Sequence, residues 1–114
     1  MVTEITQDTF QKEVLDHKGQ VVLVDFYAVW CGPCKITTPL IEELAKEMKD
    51  VKFVSMDVDK NTELVTEKQI FSVPTFKLYF EGKEVGELVG AHPKENFIEA
   101  INKAKMHAAW FIFS

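Results

Sequence analysis

Seven consecutive residues, Val21-Val22-Leu23-Val24-Asp25-Phe26-Tyr27, are apolar at every position except Asp25. A strand with one wet face alternates apolar and polar residues. Apolar residues on both parities need cover on both faces, which is the situation of a central strand. The segment leads directly into Trp30-Cys31-Gly32-Pro33-Cys34, and a helical pattern begins after Pro33. Ile36, Leu40, Ile41, Leu44, Ala45 and Met48 fall on one face of that helix, while Lys35, Glu42, Glu43, Lys46 and Glu47 fall largely on the other. Pro39 lies inside the pattern, which resumes beyond it, so a kink is expected rather than an end. A doubly covered strand feeding a helix through a tight turn commits the chain to an α/β architecture.

The other segments are consistent with that frame. A short strand near 2–5 precedes a helix over about 8–16 that carries Phe10, Val14 and Leu15. Val51–Val58 reads as another strand, and Asp57-Val58-Asp59-Lys60-Asn61 offers capping side chains for a short helix over roughly 61–69. Strict alternation follows in Thr75–Glu81, with Phe76, Leu78 and Phe80 to one side and Lys77 and Tyr79 to the other. Glu81-Gly82-Lys83 then turns the chain into Glu84–Val89, making a hairpin. Pro93 stands near the start of a last helix whose inner face bears Phe97, Ile98, Ile101 and Ala104. The order is βαβαβαββα, which predicts a central mixed five-stranded sheet flanked by four helices.

At 114 residues the chain has room for one domain, and 46% hydrophobic residues build an ordinary core without disulfide staples. The two cysteines, Cys31 and Cys34, would close too small a loop to constrain the unfolded chain much, so a structural role is the weaker reading. The net charge is −5 and all 13 basic residues are lysines, with no basic cluster and no arginine fork. That argues against nucleic acid and against an anionic membrane surface as partners. Met1-Val2-Thr3-Glu4-Ile5 shows no basic region leading into an apolar stretch, and no apolar run is long enough to span a bilayer. The expected setting is a reducing cytoplasm, where a Cys-x-x-Cys pair is more often metal-binding or catalytic than structural. A structural zinc site needs a full tetrahedral ligand set. Beyond the cysteines the chain offers only His17, His92 and His107, at no finger-like spacing, so each reads as a surface residue and no metal is expected. No glycine-rich dinucleotide fingerprint is present, and no bound cofactor is expected.

Redox chemistry is the remaining reading of the pair, and its placement suits it. Cys31 falls at or just before the first helical turn, where free N–H groups and the positive end of the helix dipole stabilise a thiolate. Cys34, one turn later, is near enough to bond with it and is expected to lie deeper, leaving Cys31 as the exposed attacker. A lone Asp25 in an apolar strand is expected to be desolvated, its pKa raised toward neutrality and suited to general base work. The alternative is an Asp25 satisfied by hydrogen bonds at a strand end.

Trp30-Cys31-Gly32-Pro33-Cys34-Lys35 resembles the active-site motif of the thioredoxin family. The resemblance covers about residues 1–105, through Val24-Asp25-Phe26, Pro39, Asp57-Val58-Asp59, Val73-Pro74-Thr75, Gly82 and Val89-Gly90-Ala91. It implies the thioredoxin fold and a protein disulfide reductase that donates electrons through Cys31, the nucleophile, and Cys34, the resolving cysteine. It implies that Asp25 deprotonates Cys34, that Gly32 and Pro33 tune the redox poise, and that Pro74 is a cis-proline facing the cysteines. Trp30, Val73, Pro74, Thr75, Gly90 and Ala91 would form the docking surface, with Ile36 either joining them or packing in the core. Implied partners are a thioredoxin reductase and disulfide-containing proteins, with the chain itself a cytoplasmic monomer or weak homodimer. Tyr27 stands where many relatives have a tryptophan, and Ser55 where some have a lysine near the buried carboxylate, so Asp25 is expected to be less restrained.

Residues 106–114 form an apolar C-terminal extension, with Ala108-Ala109-Trp110-Phe111-Ile112-Phe113 following the family pattern. Exposed Trp and Phe are a liability without a partner. The extension either docks on its own or a neighbouring chain or is an addition foreign to the domain. Two competing functions use the same fold: a non-catalytic interaction subunit, and an oxidase or isomerase of the secretory pathway. The intact cysteine pair weighs against the first and Gly32-Pro33 against the second.

Overall fold

The computed structural model describes the backbone of residues 1–113 and the side chains of residues 1–107. In chain order the elements are β1 (Val2–Glu4), α1 (Gln11–Leu15), β2 (Val21–Tyr27), α2 (Gly32–Glu47), β3 (Val51–Asp57), α3 (Thr62–Glu67), β4 (Thr75–Phe80), β5 (Lys83–Val89) and α4 (Lys94–Phe113). The strands form one five-stranded sheet in the order β1-β3-β2-β4-β5. β1, β3 and β2 run parallel, whereas β4 is antiparallel to β2 and β5 antiparallel to β4. The mixed sheet and the order βαβαβαββα are those expected from the sequence.

β2 is central, and its alternate residues meet two separate cores. Val21 and Leu23 pack with Ile41 and Leu44 of α2 and with Phe97 and Ile101 of α4. Val22, Val24 and Phe26 point the other way, onto Phe10 and Val14 near α1 and Leu64 of α3. This explains the apolar run: both parities are buried because helices cover both faces. β4 is buried in the same way along its whole length, including Lys77, whose ammonium reaches Glu84 at 2.8 Å and Glu87 at 2.9 Å.

Several local expectations need correction. The segment over 8–16 is a single π-helical turn, Gln11–Leu15, closed by Asp16 N–H donating to the Gln11 carbonyl at 2.7 Å. A turn between Thr6 and Thr9 uses up the preceding residues, and the wider coil keeps both Phe10 and Val14 buried. The short helix spans Thr62–Glu67 and ends where Gln69 takes a left-handed φ of 57°. Its cap does not come from Asp57–Asn61. The Asn61 amide instead donates to the Asp57 carbonyl, and Gln7, from the loop after β1, accepts the Leu64 N–H at 3.2 Å. β1, β3 and β4 end one residue earlier than expected and β5 begins one earlier. Between β4 and β5, Glu81 and Gly82 both have positive φ, the pattern of a tight hairpin turn. A Cβ on Gly82 would lie 3.0 Å from the Leu15 carbonyl oxygen at a φ of 80°, so any other residue there is strained.

α2 continues through Pro39 without ending. α4 does not stop at residue 105 but runs on to Phe113. The docking expected of the side chains of 108–113 lies outside the described residues.

Candidate active site

β2 delivers the chain to the site. After Tyr27, Cys31 N–H donates to the Ala28 carbonyl at 3.2 Å, tightening the turn. Cys31 is the N-cap of α2, with extended backbone (φ −81°, ψ 115°), and Gly32 and Pro33 open the helix. Proline suits that place because the first helical N–H groups have no intrahelical acceptor. The Cys31 sulfur accepts the Cys34 N–H at 3.1 Å, so the cap of this helix is a sulfur rather than a hydroxyl or carboxylate. Cys31 and Cys34 are joined as a disulfide, with Cα atoms 5.3 Å apart. The expected contrast in exposure is absent. Cys31 is 2% and Cys34 3% exposed, because Ala28, Tyr27, Val58 and Val73 pack around both.

The segment facing the pair is braced from two sides. The Val73–Pro74 peptide is cis, as the family resemblance implied. Thr75 Oγ1 donates to the Ser72 carbonyl at 2.7 Å, and Gly90 N–H donates to the Pro74 carbonyl at 2.8 Å. Gly90 takes a φ of 89°, which lets the chain leaving β5 turn back onto Pro74. Pro74 and Thr75 are buried, Val73 and Gly90 half-buried, and Ala91 exposed. Thr75 therefore presents no side chain at the surface, and its hydroxyl is spent on the loop.

Trp30 is 68% exposed, with its indole N–H donating to Asp59 at 2.7 Å. Ile36 is 70% exposed, which removes the core-packing alternative for it. Sequence reasoning missed two further exposed apolar residues, Val29 at 69% and Phe71 at 88%. Val29 precedes the motif and Phe71 the cis-proline segment, and proximity in sequence to those marks was the available signal.

Asp25 is 4% exposed, and its Oδ1 has no hydrogen-bond partner among the described residues. The satisfied-aspartate alternative is thus not what the structure shows. Burial, and secondarily the charge of Glu4, pushes its pKa up to about 7. Asp25 borders a cavity of about 290 Å³ with Val2, Glu4, Tyr27, Thr38, Ile41, Glu42 and Ser55. Thr38 and Ile41 lie one and two turns beyond Cys34 on the same helical face, so Cys34 and Asp25 belong to the facing surfaces of α2 and β2. Thr38 Oγ1 also donates to the Cys34 carbonyl at 2.8 Å. Ser55 is the register partner of Asp25, and its hydroxyl goes to Glu4 at 3.0 Å rather than to Asp25. Glu4 was not singled out from the sequence, because only the β1–β3 register brings it here.

Among the described residues, no group of three or more His, Cys, Asp or Glu could hold a metal ion, and no helix is long and apolar enough to cross a membrane.

Sulfurs that bond to each other at the open end of a helix can exchange that bond with other disulfides, and a protein organised around such a pair is a thiol–disulfide oxidoreductase. The Thioredoxin family model matches residues 1–103. The chain is 41% identical to a thioredoxin of Rickettsia felis over 105 residues, covering 91% of this chain and 99% of that one. It is also 41% identical to a thioredoxin of Listeria monocytogenes over 104 residues, with 90% and 98% covered. Among solved structures, the short form of thioredoxin f from spinach chloroplast superposes with a TM-score of 0.85 at 41% identity, covering 91% of this chain and 93% of that one. This chain belongs to the thioredoxin family. It carries out dithiol–disulfide exchange through Cys31 and Cys34, with disulfide-containing proteins as substrates.

Proposed function

We propose that Cys31 is the attacking nucleophile, Cys34 the resolving cysteine and Asp25 the acceptor of the Cys34 proton. One observation carries the reading: the Cys31 sulfur occupies the N-cap and already receives the Cys34 N–H at 3.1 Å. That donor and the positive end of the helix favour a thiolate on Cys31. In the reduced protein the thiolate attacks one sulfur of a substrate disulfide. A Cys31–substrate disulfide forms, and the other substrate sulfur leaves as a thiolate. Cys34, its proton passed to Asp25, then attacks the Cys31 sulfur. The second substrate sulfur leaves as a thiolate and the Cys31–Cys34 disulfide forms, so two electrons have moved to the substrate. An NADPH-dependent thioredoxin reductase returns them, and no cofactor need reside on this chain.

Trp30, Ile36, Val73, Pro74, Gly90 and Ala91 provide the docking surface. An extended substrate segment pairs there with the backbone ahead of Pro74. Thr75 contributes by holding that backbone, and Gly32 and Pro33 set the turn that tunes the redox poise. The protein works in the cytoplasm as a monomer or weak homodimer. Residues 1–105 form the catalytic domain, and 106–114 dock on their own or a neighbouring chain.

Insulin reduction tests the roles. The wild type is expected to precipitate the insulin chains in the presence of dithiothreitol, and Cys31→Ser to fall to the uncatalysed rate. Cys34→Ser is expected to accumulate mixed disulfides at Cys31. Wild-type turnover by Cys31→Ser would overturn the assignment. Deleting 106–114 is expected to alter oligomeric state or reductase activity, and no change in either rejects the docking role.

A further inference from the structure

The cavity beside Asp25 holds another carboxylate that the exchange cycle does not use. Glu4 pairs with Ser55, and Ser55 with Asp25, so the three stand in one row across β1, β3 and β2. Strands lie about 4.8 Å apart, which sets the Glu4 and Asp25 backbones roughly 10 Å apart on the same face. β1 is an edge strand, and an edge glutamate is ordinarily free to turn into water. This one is tied down. Its oxygens accept the Tyr27 hydroxyl at 2.8 and 2.9 Å, and one of them also accepts the Ser55 hydroxyl at 3.0 Å.

We propose that Glu4 is a positioning residue that acts through Asp25: fixed by Tyr27 and Ser55 at the edge of the cavity, its charge holds Asp25 in the protonated form. The groups on the elements around Asp25 leave Glu4 as the anion fixed toward it. β2 contributes Tyr27, β3 Ser55 and, further along, Asp57; α2 contributes Thr38 and Glu42; and β4 places Phe76 in register with Asp25. Among the described residues lining the cavity there is no lysine or histidine to oppose Glu4. Glu42 is half-buried and also borders the cavity, but unlike Glu4 it is not among the charges that raise the Asp25 pKa. The electrostatics agree in direction, since Glu4 follows burial as the cause of the raised Asp25 pKa. The two hydroxyls matter because a carboxylate swinging in water would be screened.

The consequence for catalysis rests on the proposed role of Asp25 as base, but its ionisation can be read without any turnover. Carboxyl carbon NMR of the oxidised full-length protein follows the Asp25 titration. Glu4→Gln keeps a carbonyl oxygen for the two hydroxyls and removes the charge, and Glu4→Ala removes both. Each is expected to lower the Asp25 midpoint by roughly half to one pH unit, the size of a unit charge acting over this distance near a protein surface. A midpoint unmoved in both variants, with native-like proton spectra, overturns the proposal. The resolving step is read separately, as release of the second thionitrobenzoate when reduced protein meets Ellman's reagent. Its pH profile is expected to move with the NMR midpoint in Glu4→Gln, and the effect of Glu4→Gln to vanish in an Asp25→Asn background. A moved midpoint with an unmoved rate profile upholds the hold of Glu4 on Asp25 and removes Asp25 as the base for Cys34, so the two failures are distinguishable.

Discussion

Asp25 is an acid placed where its charge is poorly tolerated, and its effect on stability has a definite sign. Its folded-state pKa of about 7 lies above its ordinary value of 3.8. Between those values the folded protein holds a proton that the unfolded chain releases, so stability falls as pH rises through the window and levels off above it. Asp25→Asn removes the titration. The stability of that variant relative to wild type is expected to rise by roughly 4 kcal/mol between pH 4 and pH 8. Urea unfolding of the oxidised proteins at the two pH values checks this, and a pH-independent difference would reject it. The Asp25 environment was partly legible in sequence, because a lone aspartate in an apolar run signals desolvation by itself. Its unpaired Oδ1 was not, since Ser55 had a hydroxyl in reach and only the structure shows it turned to Glu4. The equal burial of Cys31 and Cys34 was also invisible, because the residues that cover them include Val58 and Val73 from distant segments.

At the level of elements, α3 shows where local reading stops. Asn61 and its neighbours have the composition of an N-cap, yet the Leu64 N–H of the helix finds its acceptor in Gln7, 57 residues away in sequence. Asn61 Oδ1 in turn accepts the Gln7 N–H at 2.8 Å, so the loop after β1 and the start of α3 are stitched together both ways. Gln7→Ala leaves the Leu64 N–H without its acceptor and is expected to cost about 1 kcal/mol, the usual worth of a cap. Denaturant titration measures the loss, and faster amide hydrogen exchange in Thr62–Glu67 than in α2 would locate it. The α2 start behaves oppositely. Its cap is Cys31 itself, three residues from the N–H it accepts, so sequence alone placed the helix and the redox pair together.

At the scale of the whole molecule, both faces of the sheet must be covered at once, and α4 closes one of them. Phe97 is fully buried, with its ring edge-on to Phe76 at 4.7 Å between centroids. Phe97→Ala is expected to cost about 3–5 kcal/mol and to lower the melting temperature by more than about 10 °C. Calorimetry on the oxidised protein tests it, and a shift of only a few degrees would mean that α4 is not the closing element. The apolar run of β2, its passage into Cys31-Gly32-Pro33-Cys34 and the helix beyond it were determined by the sequence itself. Their causes are local: side-chain parity, a proline where no N–H is needed, and a sulfur one turn from its partner. Tertiary structure alone decided the Glu4–Ser55–Asp25 row, the Gln7 cap, the surface left to Ile36 and Phe71, and the spent hydroxyl of Thr75. Each depends on register or packing between segments far apart in the chain, which residue spacing does not encode until the whole sheet has closed.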